Sequence, residues 1–506
     1  MKRKIGLTTA TAVVAANMIG TGVFTSLGFQ VASISSGFAI VMLWLVGGLV
    51  ALCGALVYGE LGAAMPRSGG EYHLLSRIYH PFVGFLSGWV SVLVGFAAPV
   101  AAASMAMGMY GTRVLQDLTG LPAGDGSWMM KLLAVGVTTA VAVVNLGKLE
   151  SISRFQVLFT GLKITLIVVL VFCGFLLAEP RGISFAPSLD AVKTLFSAPF
   201  AVSLVFVMYA YSGWNASVYI IDEIDKPQRT LPLSLLIGTA VVILLYVPVN
   251  MAFLNAAPID AMQGKEEVGY VAAGYIFGRA GGIVMGLLIS IGLISAINSM
   301  TWAGPRVMQV IGEDMPLFGF LRHKNRNGVP ATAVLAQLFI VQILILTATF
   351  EAIIFYIGFI LSLSSFLAVF GVFVLRRRFP ELRGRYRTWG YPVTPLIYLG
   401  VTAWMLYIVV RERPVESLAG VATLAVGAGV FFLGNPARRL WHSALSAASL
   451  VSRRARRNVL PQQPVDSVGA KAGHPAVAVA AHPAGISRGY PGRSQRRRIG
   501  RGCGRG

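Results

Sequence analysis

Two features of this chain could do chemistry. The first is Gly20-Thr21-Gly22, set inside the apolar run 8–33. Two glycines around a small hydroxyl residue weaken a helix. In hydrocarbon such a break survives only where the freed backbone groups face protein, water or a ligand. Freed amides at the start of the outer half, reinforced by the positive helix end, suit a carboxylate. Carbonyls ending the inner half suit an ammonium, so the break predicts a site for a small zwitterion near mid-membrane. The second feature is Lys163. It lies about ten residues into the apolar stretch 155–171, roughly 15 Å along a helix and near the bilayer centre. It is the only basic residue so placed, and an ionisable group at that depth is costly and marks function by default. Snorkelling to an interface is opposed by its depth.

The elements that must position these residues are membrane helices. The chain has 506 residues, 56% hydrophobic and 12% charged, with a mean hydropathy of +0.71. A soluble domain carries about 25% charged residues, and here the charges cluster between long apolar runs. With about 20 apolar residues per crossing, twelve spans are expected: 8–33, 37–65, 80–112, 130–147, 154–178, 194–222, 232–256, 270–303, 331–350, 352–375, 393–411 and 416–434. The class is an all-α polytopic membrane protein. The first run is too long, too polar and too broken for a cleaved signal peptide.

Nineteen Lys/Arg fall at the N-terminus and in the even-numbered connections, from Lys2 to Arg387, against eight in the odd-numbered ones. By the positive-inside rule both termini are cytoplasmic, including the short segment 1–7. The formal charge of +22 resembles a nucleic-acid signal, but much of it sits in a Pro-, Ala-, Gly- and Arg-rich tail. Residues 452–506 are expected to be disordered, either solvated or touching anionic headgroups, and no nucleic-acid partner is implied. Cys53, Cys173 and Cys503 lie far apart, without disulfide or metal spacing. No metal or cofactor is expected.

A second interruption lies in the sixth span, where Ser212-Gly213 sits between Tyr209, Tyr211 and Trp214. Spans one and six each open a five-helix block. Breaks at matching positions of two halves point to an inverted-repeat transporter, with 8–178 and 194–375 as the repeats and 393–434 as two added helices. Close helix packing by small residues is the simpler reading of either site alone. Gly20-Thr21-Gly22-Val23-Phe24 resembles the glycine signature of the amino acid–polyamine–organocation superfamily. The stretch Tyr58-Gly59-Glu60 through Ser68-Gly69-Gly70-Glu71-Tyr72 resembles its second-span and loop motif. Tyr211-Ser212-Gly213-Trp214-Asn215, followed by Asp222-Glu223 and Leu231-Pro232, is similar to the L-type amino acid transporter branch.

The resemblance covers about residues 5–434. It implies a five-plus-five inverted repeat with discontinuous helices 1 and 6, in the cell's inner (plasma) membrane. It places Thr21, Gly22 and Val23, with Gly20, at a substrate carboxylate. It places carbonyls near Ala16 and Ile19, and near Met208, Tyr209 and Tyr211, at the ammonium. Tyr209 takes the position of an aromatic lid, or packs as an ordinary aromatic. Asn215 matches a polar site residue, or serves as interhelical glue. In sodium-independent relatives a lysine at the place of Lys163 sits where sodium-coupled cousins bind an ion. Its ammonium could bridge helix 1 to helices 5 and 8, or carry a proton, with the structural role preferred. Ser295 and Asn298 bring polar groups to the eighth span, while Trp302 and Pro305 depart from the family's usual small or polar residues.

The implied function is a secondary transporter working by alternating access: a sodium-independent exchanger of neutral amino acids, with proton symport as the alternative. Sodium symport fits least, since Lys163 would repel the ion and Val23 offers no side-chain oxygen. Neutral substrates follow from the absence of an acid at mid-membrane. An enzyme is disfavoured, because no nucleophile–base pair, metal cluster or P-loop appears. A channel or non-transporting sensor is the rival of a different class. Eukaryotic L-type relatives use a glycoprotein attached through an extracellular cysteine. No cysteine lies in an outer loop here, so no obligatory glycoprotein partner is expected.

Overall fold

The computed structural model describes residues 5–120, 127–147, 150–382 and 386–433, all within one compact unit. Lys2, Arg3, Lys4, Lys148, Cys503 and the tail 452–506 lie outside the described residues. Among the described residues there is helix and no strand. Ten helices are long and apolar enough to cross a membrane, the broken first span Leu7–Gln30 counted once. Two shorter apolar helices, Ala198–Ala210 and Ala331–Thr347, take the sixth and ninth places. The twelve expected spans are therefore all present as helices.

The first span breaks where the glycines fall. One helix runs Leu7–Met18, a second Gly22–Gln30, and Ile19–Thr21 lies between them. The sixth stops at Ala210, turns through residues 211–215 and resumes as a 3-10 helix, Ala216–Glu223. The two breaks touch. Gly213 sits at φ 93, and a Cβ there would lie 2.9 Å from the Asn17 carbonyl oxygen, so only glycine fits both the backbone angle and the space. Gly22 is likewise pressed on the sixth span, with a would-be Cβ 2.5 Å from Ala210 Cα. At the inner ends the pair is tied again. Ile5 N donates to the Glu223 carbonyl (2.8 Å) and Asp225 N to the Ile5 carbonyl (2.9 Å).

Of the boundaries that differ from expectation, three have clear local reasons. The sixth span begins at Ala198 rather than 194. Ser197 caps it through Phe200 N (3.4 Å), Pro199 sits in its first turn, and the preceding residues form a separate short helix, Leu189–Thr194. The third span continues to Thr119 and is π-wound over Ser91–Ala97, just before Pro99, which has no N–H to offer the ladder. The eighth helix runs Val268–Asp314, turning at Gly278 (φ 75) and continuing well past the expected end at 303. Arg306 reads as loop in the sequence, but its guanidinium lies over the Trp302 ring at 3.6 Å and its chain stays helical.

The second and tenth spans, Gly37–Ala64 and Phe350–Arg378, are clamped by Glu60. Its carboxylate accepts Arg376 Nε (2.8 Å) and Nη2 (2.7 Å), and Thr388 N and Oγ1 (both 2.7 Å). Four donors compensate a carboxylate that is 6% exposed.

Candidate functional site

The break in the first span leaves both kinds of backbone group free. Ile19 N donates to Ala15 O (2.9 Å), Gly20 N to Met18 O (2.8 Å) and Phe24 N to Thr21 O (2.9 Å). The amides of Thr21, Gly22 and Val23 have no acceptor among the described residues. They are the first donors of the helix Gly22–Gln30, where the partial positive charge of a helix end collects. On the sixth span the carbonyls of Met208 and Tyr211 accept nothing among the described residues, while that of Tyr209 accepts Ser212 N (2.9 Å).

Lys163 is 1% exposed, on the fifth-span helix Glu150–Leu176. Its Nζ donates to the Ile19 carbonyl and to the Ala16 carbonyl (3.4 Å). A cation thus sits at the negative end of the inner half-helix Leu7–Met18, where the macrodipole favours it. Its stem lies against the eighth span: a Cβ on Gly292 would be 3.2 Å from Lys163 Cγ. The carbonyls of Ala16 and Ile19, which sequence reasoning gives to a substrate ammonium, thus already hold the ammonium of the protein's own lysine. Tyr246 of the seventh span takes the Met18 carbonyl (2.7 Å).

A small cavity of about 30 Å³ lies against the first break. Gly20, Thr21, Gly22, Asn17 and Met18 line it from the first span, and Tyr209, Ala210 and Ser212 from the sixth. Pro99 and Ala103 of the third span and Ala296 and Met300 of the eighth complete the wall. No acid lines it, and its polar groups are main chain, hydroxyl and amide. Tyr209 OH and Thr21 Oγ1 are 2.7 Å apart, joining the two broken helices across the cavity.

Other expected site residues lie elsewhere. Tyr211 turns its ring away, its OH donating to the Trp44 carbonyl (3.1 Å). Asn215 donates to Glu71 Oε1 (3.3 Å) rather than lining the cavity. Asn298 accepts from Asn145 Nδ2 (2.8 Å), joining the fourth and eighth spans. Ser295 is fully buried, and its Oγ has no partner. Ala16, Ile19, Val23 and Met208 are absent from the cavity wall.

Two participants, Glu71 and Tyr246, were not singled out from the sequence. Glu71, 4% exposed, accepts Tyr58 OH (2.5 Å), Ser365 Oγ (3.0 Å) and Asn215 Nδ2 on one oxygen, and Ser364 Oγ (2.6 Å) on the other. It ties the resumed sixth span to the second and tenth. Its signal lay in the loop motif beside Tyr72. Asn17 and Ser299 link the first and eighth spans (3.4 Å), Asn17 also donating to Val13 O (2.9 Å). For Tyr246 the sequence carries no spacing signal.

Twelve apolar helices among the described residues, two of them broken around a polar cavity, are the architecture of a membrane transporter. A family model described as amino acid permease matches residues 5–431, and the chain belongs to that family. It is similar to the large neutral amino acids transporter small subunit 2 of Oryctolagus cuniculus, 27% identical over 450 residues, covering 86% of this chain and 81% of the relative. The Asc-type amino acid transporter 1 of Mus musculus is 27% identical over 441 residues, with 86% and 81% covered. The serine/threonine exchanger SteT of Bacillus subtilis (strain 168) is 25% identical over 410 residues, with 80% and 91% covered. These relatives are transporters rather than enzymes.

Proposed function

We propose that this chain is a sodium-independent exchanger of neutral amino acids, working by alternating access. The observation that carries the reading is the row of unpaired amides at Thr21, Gly22 and Val23, beside a cavity that no acid lines. The substrate carboxylate takes those amides. Its ammonium takes the open carbonyls of Met208 and Tyr211, because Lys163 already holds Ala16 and Ile19. Backbone groups recognise the α-amino acid frame and leave the side chain to Ala, Met and aromatic walls. Tyr209 closes over the substrate, and Ser295, Asn298 and Asn215 support the helices that bear the site. Lys163 stands in for a coupling cation, fixing the inner half of helix 1. The family and the named relatives, two transporters and an exchanger, support this reading.

The two repeats, 8–178 and 194–375, move against each other, with 393–434 added at the periphery. The protein sits in the plasma membrane with both termini cytoplasmic. It works without a glycoprotein partner, since the described cysteines, Cys53 and Cys173, lie within spans. The words "small subunit" in the name of the rabbit relative set the contrary case. Uptake into proteoliposomes holding the purified chain alone tests both points. Internal neutral amino acid should stimulate uptake in sodium-free buffer. Stimulation by an inward proton gradient with empty vesicles would instead favour symport, the second reading, for which the buried Lys163 is the one observation. Inactivity of the chain alone would point to a required partner.

A further inference from the structure

A second cavity, of about 120 Å³ with a mouth open to solvent, lies on the other face of the eighth span. Ala296 and Met300 face the first cavity, and Thr301, Trp302, Pro305 and Arg306 face the second. Trp302 and Pro305 are the residues at which this chain departs from the resemblance noted above, and they build its floor. We propose that this cavity binds a phosphate-bearing anion, either free phosphate or the headgroup of an anionic lipid.

The charge is one-sided. Arg306 and Lys324 line the cavity and no acid does. Arg306 has no ion-pair partner among the described residues. Its guanidinium carbon lies over the Trp302 ring, 3.6 Å from the centroid, with one N–H donating to the Trp302 carbonyl (2.6 Å). The remaining N–H groups are left in a fixed plane, the geometry with which arginine grips phosphate oxygens. Lys324 adds an exposed cation from the loop.

Two buried polar atoms at the wall are left without partners. Trp302 Nε1 is a donor with no acceptor, and Asn145 Oδ1 an acceptor with no donor. Orphaned buried groups are costly and need an explanation. A phosphate oxygen would satisfy the indole N–H, and a ligand hydroxyl, on dihydrogen phosphate or on a glycerol headgroup, would satisfy the amide oxygen. The loop wall is built rather than loose. Asn325 and Asn327 both donate to the Leu146 carbonyl (2.9 and 3.1 Å), and Asn325 Oδ1 accepts the amides of Asn327 (2.9 Å) and Val329 (3.0 Å).

The test uses the full chain, purified in detergent, with two probes. Inorganic phosphate is titrated against thermal unfolding, with chloride at equal ionic strength as control. Phosphatidylglycerol and phosphatidylcholine are compared for retention by native mass spectrometry. Arg306→Gln alters a half-buried group, and Lys324→Gln alters an exposed one that leaves the fold intact. A shift with phosphate beyond that with chloride, weakened about tenfold by either substitution, assigns a free-phosphate site. Selective retention of phosphatidylglycerol, lost in both variants, assigns the lipid headgroup. No preference for either probe, or binding that neither substitution changes, overturns the proposal.

Discussion

The ammonium of Lys163 in the fifth span donates to the carbonyl oxygen of Ile19, the residue at which the first span stops being a helix. One side chain thus caps the inner half-helix, reaches a second carbonyl on Ala16, and packs against the eighth span beside Gly292. It holds the break open by giving its carbonyls a partner other than the helix ladder.

Removing that cap should uncouple the break from the fifth span. Lys163→Ala is expected to abolish exchange while the protein still folds. Leaving the two carbonyls unpaired costs about 1–3 kcal/mol. Counterflow in proteoliposomes, read beside the elution profile of the purified variant, checks it. Normal exchange by the variant would remove Lys163 from the mechanism.

The bond between Thr21 Oγ1 and Tyr209 OH closes the cavity between the two broken helices. Tyr209→Phe keeps the ring and deletes the bond. A neutral hydrogen bond is worth about 0.5–1.5 kcal/mol, so the apparent KM should rise roughly two- to tenfold with Vmax less affected. Equal KM values for the two proteins would reduce Tyr209 to packing.

The two glycines of the first break are not equivalent. A methyl on Gly22 would lie 2.5 Å from Ala210 Cα, whereas on Gly20 the nearest atom, the Met18 carbonyl oxygen, is 3.9 Å away. Gly22→Ala must push the broken helices apart and should lower exchange at least about tenfold, in line with the cost of overpacking a tight contact. Gly20→Ala should be tolerated far better. Initial exchange rates of the two variants at matched protein amounts decide it, and a reversed order would contradict the contact.

Stability should depend on pH through Glu266, which sits in the loop before the helix Val268–Asp314. Burial pushes its carboxyl up to about 8, with the charges of Glu267 and Glu351 adding to the effect, and its Oε2 has no partner. The folded state therefore keeps this proton up to about pH 8, while the unfolded chain releases it near the ordinary value of 4.5. The unfolded state binds fewer protons in that window, so stability falls as pH rises from 4.5 to 8 and levels off above. Glu266→Gln should flatten this slope. Tm at pH 5 and pH 8.5 for both proteins measures it, and identical slopes would exclude Glu266 as the cause.

Much of the fold could be read directly, because hydrocarbon imposes severe rules on sequence. Long apolar runs mark the spans, and small residues mark the breaks, two glycines around Thr21 in the first span and Ser212-Gly213 in the sixth. Lys163 stood out because few charges are tolerated at that depth. Partner choice was not legible. Asn215 reaches Glu71, and Asn298 reaches Asn145. Each depends on how a helix is rotated against its neighbours, which near-uniform apolar sequence hardly encodes. The eighth span ran past its expected end because Arg306 resembles a loop residue until its stacking on Trp302 is seen.

The central claim is that unwound main chain in the first span holds the carboxylate of the substrate. A high-resolution cryo-electron microscopy structure of the protein with a bound neutral amino acid tests it most directly. The carboxylate should lie within about 3 Å of the amides of Thr21, Gly22 and Val23, with the ammonium at the sixth-span carbonyls. A carboxylate held by side chains elsewhere, or a continuous helix through Gly20–Gly22 with the ligand outside the cavity, would contradict the account.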